Sequence, residues 1–233
     1  MGIDLLHGWI ALLSHRQLDL MEQVIMGDAT LYLADARDIR DLQADCVITD
    51  PVWPNCPEGL LHGSDGSQDQ LLSAVLAGIE CRTIVIVLGF DSDPRFLRAV
   101  PADMPFIRSQ QLPYAMPGYR GRLLGGDEVA YVFGQVPKGN GLIPGRARAV
   151  SEPKAVRATG HPCPRADMHM TQLVGWWSPE GGSVIDPFMG TGATGVACVS
   201  AGRKFTGIEI DPKFFDISCK RIEQAQAQLR LIA

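Results

Sequence analysis

The 233 residues contain no Cys-x-x-Cys pair, no apolar run long enough to cross a bilayer, no internal repeat and no low-complexity tract. The six cysteines, Cys46, Cys56, Cys81, Cys163, Cys198 and Cys219, are scattered, several in apolar strand or helix contexts where a free thiol behaves as a small hydrophobe. A reducing, cytoplasmic setting is therefore expected. Cys56, His62, His161 and Cys163 lack zinc-ligand spacing, so no metal is expected. The first 20 residues are interrupted by Asp4, His7, His15, Arg16 and Asp19, which suits neither a secretory segment nor a membrane span. They read as a helical extension over 1–20 ahead of a main domain over 21–233. Excess positive charge is missing too: the net charge is −5, which gives no global nucleic-acid signature. Its distribution is uneven, since Lys138, Arg146, Arg148, Lys154, Arg157 and Arg165 stand against Glu152 alone between residues 137 and 165.

What is present suits a folded α/β domain: 46% of residues are hydrophobic, enough for a sizeable core. Residues 23–33 read as two short strands, and Asp45-Cys-Val-Ile-Thr-Asp50 reads as an apolar strand ending in a carboxylate. A Pro- and Gly-rich loop follows over 51–66, and its length suggests function. Residues 70–79 have helical spacing, 82–90 form a β-branched strand, and 94–100 a short helix. Residues 106–114 and 128–136 are expected strands joined by a Gly-rich turn over 118–126. The stretch 137–165 has no periodicity and reads as a short basic insertion, a candidate target-recognition loop. Beyond it helices are expected over 168–177, 193–201 and 213–231, and strands over 183–186 and 205–209. This alternation predicts a doubly wound, mostly parallel sheet with ligands at the strand carboxyl ends.

Gly190-x-Gly-x-x-Gly195 follows the strand Ser183–Asp186 and opens a helix, with Glu209 placed to take ribose hydroxyls. That pattern serves a dinucleotide as well as other nucleotide-like cofactors, and a turn that binds nothing is the plainer alternative. Asp186 separates them, because a carboxylate at the strand end repels a pyrophosphate and attracts the ammonium and sulfonium of S-adenosyl-L-methionine. The charge pattern thus favours S-adenosylmethionine over NAD. Two strands end in Asp-Pro, Thr49-Asp-Pro-Val-Trp53 and Ile185-Asp-Pro-Phe188, so a cofactor held by one can face a substrate held by the other.

These motifs resemble those of the amino-methylating DNA methyltransferases, which modify adenine N6 or cytosine N4. Asp50-Pro-Val-Trp53 is similar to their Asp-Pro-Pro-aromatic catalytic motif, and Asp186-Pro-Phe-Met-Gly-Thr-Gly192 to their cofactor loop. His161-Pro-Cys-Pro-Arg165 resembles a divergent His-Pro-Thr-x-Lys element with Arg165 at the lysine position, and Leu31-Tyr-Leu-Ala-Asp35 resembles the segment ahead of the catalytic strand. The order is that of the beta class, and the resemblance spans roughly residues 21–225. Val52 replaces the second proline and Trp53 the usual Tyr or Phe, which leaves the nucleic-acid type open.

The resemblance implies a Rossmann-like methyltransferase that flips its target base. Asp50 and the Pro51 carbonyl would each accept an N–H of the exocyclic amine, turning its lone pair toward the sulfonium methyl, while Trp53 stacks on the base. Asp35, Ala36, Asp186, Phe188, Gly190, Thr191, Gly192, Thr194, Glu209 and Arg165 would surround the cofactor. Lys138, Arg146, Arg148, Lys154 and Arg157 would touch DNA phosphates, with a homodimer or a separate restriction or recognition partner as further partners. Asp50 at the head of the motif implies adenine N6, with cytosine N4 the alternative. An RNA or protein amide methyltransferase, a catalytically silent nucleic-acid-binding subunit and an NAD-dependent oxidoreductase are the remaining readings.

Overall fold

A computed structural model describes residues 22–64, 66–115, 118–120, 123–139, 141–151 and 165–232. The expected N-terminal extension, Lys154, Arg157 and His161 to Pro164 lie outside the described residues. The strands are β1 (Glu22–Met26), β2 (Ala29–Leu33), β3 (Leu42–Thr49), β4 (Ile79–Gly89), β5 (Phe106–Leu112), β6 (Gly118–Arg120), β7 (Leu123–Gly125), β8 (Glu128–Gly134), β9 (Ser183–Asp186) and β10 (Lys204–Glu209). The helices are α1 (Gln68–Leu76), α2 (Asp167–Trp177), α3 (Ala193–Ser200) and α4 (Pro212–Ile232), with a 3-10 turn at Pro94–Ala99.

Eight strands form one sheet in the order β1-β2-β10-β9-β3-β4-β8-β5. The run from β2 to β4 is parallel, and β1, β8 and β5 pair antiparallel at its flanks. This is the doubly wound, mostly parallel sheet that the alternation of strands and helices predicts. Alternate side chains of the central strands enter two different cores, as a period of two requires. Cys46, Ile48, Val85, Val87 and Val184 pack with Leu173, Val174 and Trp177 of α2 and with Ala197 of α3. Val47, Ile84, Ile86, Leu88 and Ile185 pack on the other face with Leu72 and Leu76 of α1 and with Phe96. Both faces of the sheet are thus covered, and a fully buried side chain such as Leu31, Ile86 or Met170 stabilises the fold by about 1.5–3 kcal/mol.

Three local differences from the sequence reading have plain causes. Helix α1 stops at Leu76, because Ile79 pairs with Leu42 and belongs to β4. The Gly-rich turn contains a small antiparallel hairpin, β6 with β7, in which Gly118 opposes Gly125. The basic stretch after Pro137 is not wholly an excursion from the core: Gln111 bridges to Arg146 and Tyr114 to Val150 in parallel fashion, with Ala147 and Val150 buried. This segment covers the outer edge of β5, where Arg108 donates to the Ile143 carbonyl and Gln110 to that of Pro144. An open strand edge is a pairing liability, and buried Ala147 and Val150 together with backbone hydrogen bonds to residues 111–115 hold the cover down.

Candidate active site

The sheet changes direction between β9 and β3. From β3 the chain crosses to β4 on one side, and from β9 to β10 on the other, so the two following turns diverge and leave a crevice at the strand carboxyl ends. Asp50 and Asp186 both reach it: Val47 pairs with Ile185 in register, which sets Asp186 beside Ile48 and Asp50 two residues further along. Thr49 Oγ1 donates to Asp186 Oδ1 at 2.8 Å and binds the two strand ends together.

Asp186 is 2% exposed. Its Oδ1 also accepts the Phe188 N–H at 3.1 Å, and Oδ2 accepts the Thr194 hydroxyl at 2.7 Å. Burial pushes its pKa up to about 7 in spite of these three donors. Glu209, ending the adjacent strand β10, extends the same wall, with Oε2 accepting the Gly190 N–H at 2.9 Å and Oε1 the Asp211 N–H at 2.8 Å. Burial raises its pKa as well. The glycine loop is held from outside by Arg221 of α4, which donates to the Thr191 carbonyl at 2.6 Å and to Asp167 at 2.5 Å. Gly192 caps α3 with a φ of +80°, and a Cβ there would meet Ser218 at 2.9 Å.

On the other side of the crevice, Trp53 Nε1 donates to Asp50 Oδ1 at 2.8 Å and to the Val87 carbonyl at 3.1 Å. Arg165 donates through Nε to Asp50 Oδ2 and through Nη1 to Glu128 Oε1. Its guanidinium also lies 4.4 Å from the centre of the Trp53 ring. The Tyr114 hydroxyl donates to Glu128 Oε1 at 3.1 Å. Desolvation raises the Asp50 pKa, with Arg165 opposing it, and burial pushes that of Glu128 up to about 7. Burial disfavours the Arg165 cation, but Asp50 and Glu128 outweigh this and hold it charged.

A cleft of about 970 Å³ opens between these two walls, at the large end of small-ligand sites. Asp35, Ala36, Asp50, Pro51, Trp53, Arg165, Asp186, Phe188, Gly190, Thr191, Thr194 and Glu209 all line it, which brings together all but one of the catalytic and cofactor residues singled out from the sequence. Gly192 does not line it and faces Ser218 of α4 instead. Arg165, expected on the cofactor side, is held by Asp50 and Glu128. Asp35 is paired with Arg37 at 2.6 Å. Lys138, Arg146 and Arg148 are exposed; Arg146 and Arg148 flank the buried Ala147, and the Arg148 N–H donates to Gln172. Sequence reasoning missed Glu128, Tyr114 and Arg221. An acid heading the apolar strand Glu-Val-Ala-Tyr-Val was the one available signal for Glu128; nothing in the helical pattern of α4 marks Arg221.

The lining holds five carboxylates, those of Asp35, Asp50, Asp186, Glu209 and Asp211, against two guanidiniums, Arg37 and Arg165, both already paired. That charge set suits a cationic, nucleoside-sized ligand better than a pyrophosphate.

The sheet with a cleft at its switch point is shared with solved structures. It matches the crystal structure of the M1.HpyAVI–SAM complex over 83% of this chain and 98% of that one, with a TM-score of 0.65 at 22% identity. The PvuII DNA methyltransferase, described as cytosine-N4-specific, matches over 86% and 90%, with a TM-score of 0.62 at 13% identity. The family model described as DNA methylase matches residues 109–220, a stretch with Glu128, Arg165, the glycine loop and Glu209 but without Asp50. The type II methyltransferase M2.DpnII of Streptococcus pneumoniae is 33% identical over 63 residues, 27% of this chain and 24% of that protein. The DNA adenine methyltransferase YhdJ of Escherichia coli (strain K12) is 32% identical over 65 residues, 28% of this chain and 22% of that protein. The aligned stretches therefore span under a quarter of these two relatives. In motifs and in fold alike, this chain resembles the DNA amino-methyltransferases of the adenine-N6 and cytosine-N4 types.

Proposed function

We propose that the chain is an S-adenosylmethionine-dependent DNA methyltransferase that methylates an exocyclic amine, adenine N6 in the first place. The observation that carries this reading is the juxtaposition of two Asp-Pro strand ends on one acidic cleft, joined by the Thr49–Asp186 hydrogen bond. Residues 21–233 form the methyltransferase domain, and the basic stretch 137–165 serves as its DNA-facing segment.

When bound, the cofactor supplies an electrophilic methyl on a cationic sulfur. Glu209 would hold the ribose hydroxyls, Phe188 and Ala36 would give apolar contact, and the Asp186 loop would take the methionine end. On the substrate wall, Asp50 and the Pro51 carbonyl each accept one N–H of the target amine and draw its lone pair out of conjugation. The lone pair that Asp50 and Pro51 draw out would take up that methyl, with the electrons of the broken bond left on the departing sulfur, and Asp50 would accept the surplus proton from nitrogen. A carboxyl whose pKa burial has raised is suited to that last step. The base must leave the duplex to reach this depth, and Trp53 offers it a stacking face. Lys138, Arg146 and Arg148, exposed on one flank, contact phosphates without reading sequence, and Lys154 and Arg157 continue the basic run.

Adenine is proposed over cytosine because the motif begins with Asp50. Incubation with methyl-labelled cofactor and separate DNA, RNA and protein acceptors, followed by nucleoside mass spectrometry, is expected to give N6-methyladenine in DNA. A product that is solely N4-methylcytosine overturns the choice of base, and label found only in RNA or protein overturns DNA as substrate.

A further inference from the structure

Arg165 holds the position that a target base needs. Its planar guanidinium lies over the Trp53 ring and donates to Asp50 Oδ2, so it presents to these two residues what the edge of an amino-substituted base would present. Catalysis as proposed above requires Trp53 to be uncovered and Asp50 to be free to accept. Arg165 is 13% exposed and Glu128 6%, so the displaced cation cannot be left without a partner at low cost.

The same cluster contains a second seat for it. Glu128 Oε1 already accepts from Arg165 Nη1 and from Tyr114, whereas Glu128 Oε2 is buried and has no hydrogen-bond partner among the described residues. Two oxygens on one carboxylate match two N–H groups of a guanidinium, a pairing stronger and better oriented than a single bond. We infer that Glu128 is a positioning residue for methyl transfer: as the base enters against Trp53, Arg165 leaves Asp50 and pairs with both oxygens of Glu128. Glu128 thereby sets when Asp50 becomes available, and it does so without touching substrate or cofactor. The inference rests on the methyl-transfer reading.

The charged and titratable groups around Glu128 come from every element packed on it. Asp50 ends β3, Tyr114 follows β5, Asp127 precedes Glu128 and accepts the Tyr114 N–H, and Arg165 precedes α2, whose His169 stacks edge-on against Tyr114 at 5.1 Å. Protonated Glu128 pulls weakly on the guanidinium and ionised Glu128 pulls strongly, so base entry is favoured as pH rises through about 7.

Glu128→Gln keeps the size and one acceptor oxygen but removes the charge and the second acceptor. Initial rates with DNA between pH 5.5 and 8.5 test the role, alongside calorimetry with the cofactor and thermal melts to show that the fold is kept. The expected result is a wild-type kcat/KM for DNA that rises through neutral pH, and a Glu128→Gln enzyme that lacks this rise. KM for DNA should increase about tenfold at pH 8, with cofactor affinity unchanged. Glu128→Asp, which restores both oxygens and the charge, should restore the rise. An active wild type whose pH profile and KM are reproduced by Glu128→Gln overturns the role of Glu128 and leaves the methyltransferase standing. A wild type that methylates no nucleic acid takes down both.

Discussion

Asp186 ends β9 and Asp50 directly follows the neighbouring parallel strand β3, each is followed by proline, and burial raises the pKa of both. They differ in what binds them. Asp186 is held by two hydroxyls and one backbone N–H, neutral donors fixed by β3, α3 and the loop itself. Asp50 is held by an indole N–H and by a guanidinium on the segment ahead of α2. Neutral donors built into the scaffold make a site that keeps its shape. A side-chain cation with an alternative acceptor makes one that can be vacated. One strand end therefore serves as the fixed wall of the cleft and the other as its working wall, although the local sequences look alike.

The comparison breaks most sharply on Asp50. Asp50→Ala should lower methyl transfer by at least about 10²–10³-fold, the usual effect of removing a preorganised group at the reacting centre, while calorimetry finds cofactor affinity within about twofold of wild type. An active Asp50→Ala enzyme would sink the proposed mechanism. Asp186→Ala should act on the fold instead, since it strips the partner from three buried donors. A loss of about 2–4 kcal/mol in urea unfolding is expected, and unchanged stability would show that those donors find water.

The pH dependence of stability sharpens the same contrast. The folded pKa of Asp186, about 7, lies above the ordinary carboxylate value near 4, so between these limits the native state keeps a proton that the unfolded chain has released. The contribution of this site is full below about pH 4 and is lost as pH rises through about 7, by up to about 4 kcal/mol. Asp186→Asn cannot titrate, so the stability difference between the two proteins should shift toward the variant from pH 4 to pH 8. A constant difference would mean that Asp186 is ionised throughout. Gly192→Val probes the fixed wall more gently. With φ at +80° and Ser218 2.9 Å from the new Cβ, it should cost about 1–3 kcal/mol of stability, visible in thermal melts. Selective loss of cofactor binding in a fully stable Gly192→Val protein would contradict this. The smallest effect lies on the surface. Neutralising Lys138, Arg146 or Arg148 should reduce the slope of log affinity against log salt for DNA by about one unit for each true phosphate contact. An unchanged slope in all three variants would turn that edge away from DNA.

Much of this was readable from residue order. β-branched runs bounded by Gly, Pro and Asp marked β3, β4, β9 and β10, and two Asp-Pro ends with a glycine loop marked the cleft. The cover over β5 was not readable, because Ala147 and Val150 sit in a stretch without periodicity and owe their burial to a partner strand far away in the chain. The packing of Gly192 was hidden for a similar reason: its neighbour is Ser218, on a helix that local sequence cannot orient. Glu128 and Tyr114 carry no motif, and only the antiparallel pairing of β8 with β4 and β5 brings them to Arg165.

By itself the sequence determined the class of the sheet, the two strand ends that face each other across it, and the acidic character of the cleft, since hydrophobic period and turn chemistry are local properties. Which carboxylate is fixed and which is held by an exchangeable cation was decided only in three dimensions. Asp50 and Arg165 are 115 residues apart, and Arg165 and Glu128 37 apart. A buried ion pair depends on distance and desolvation at its own place in the fold, and neither is encoded by the residues on either side of it.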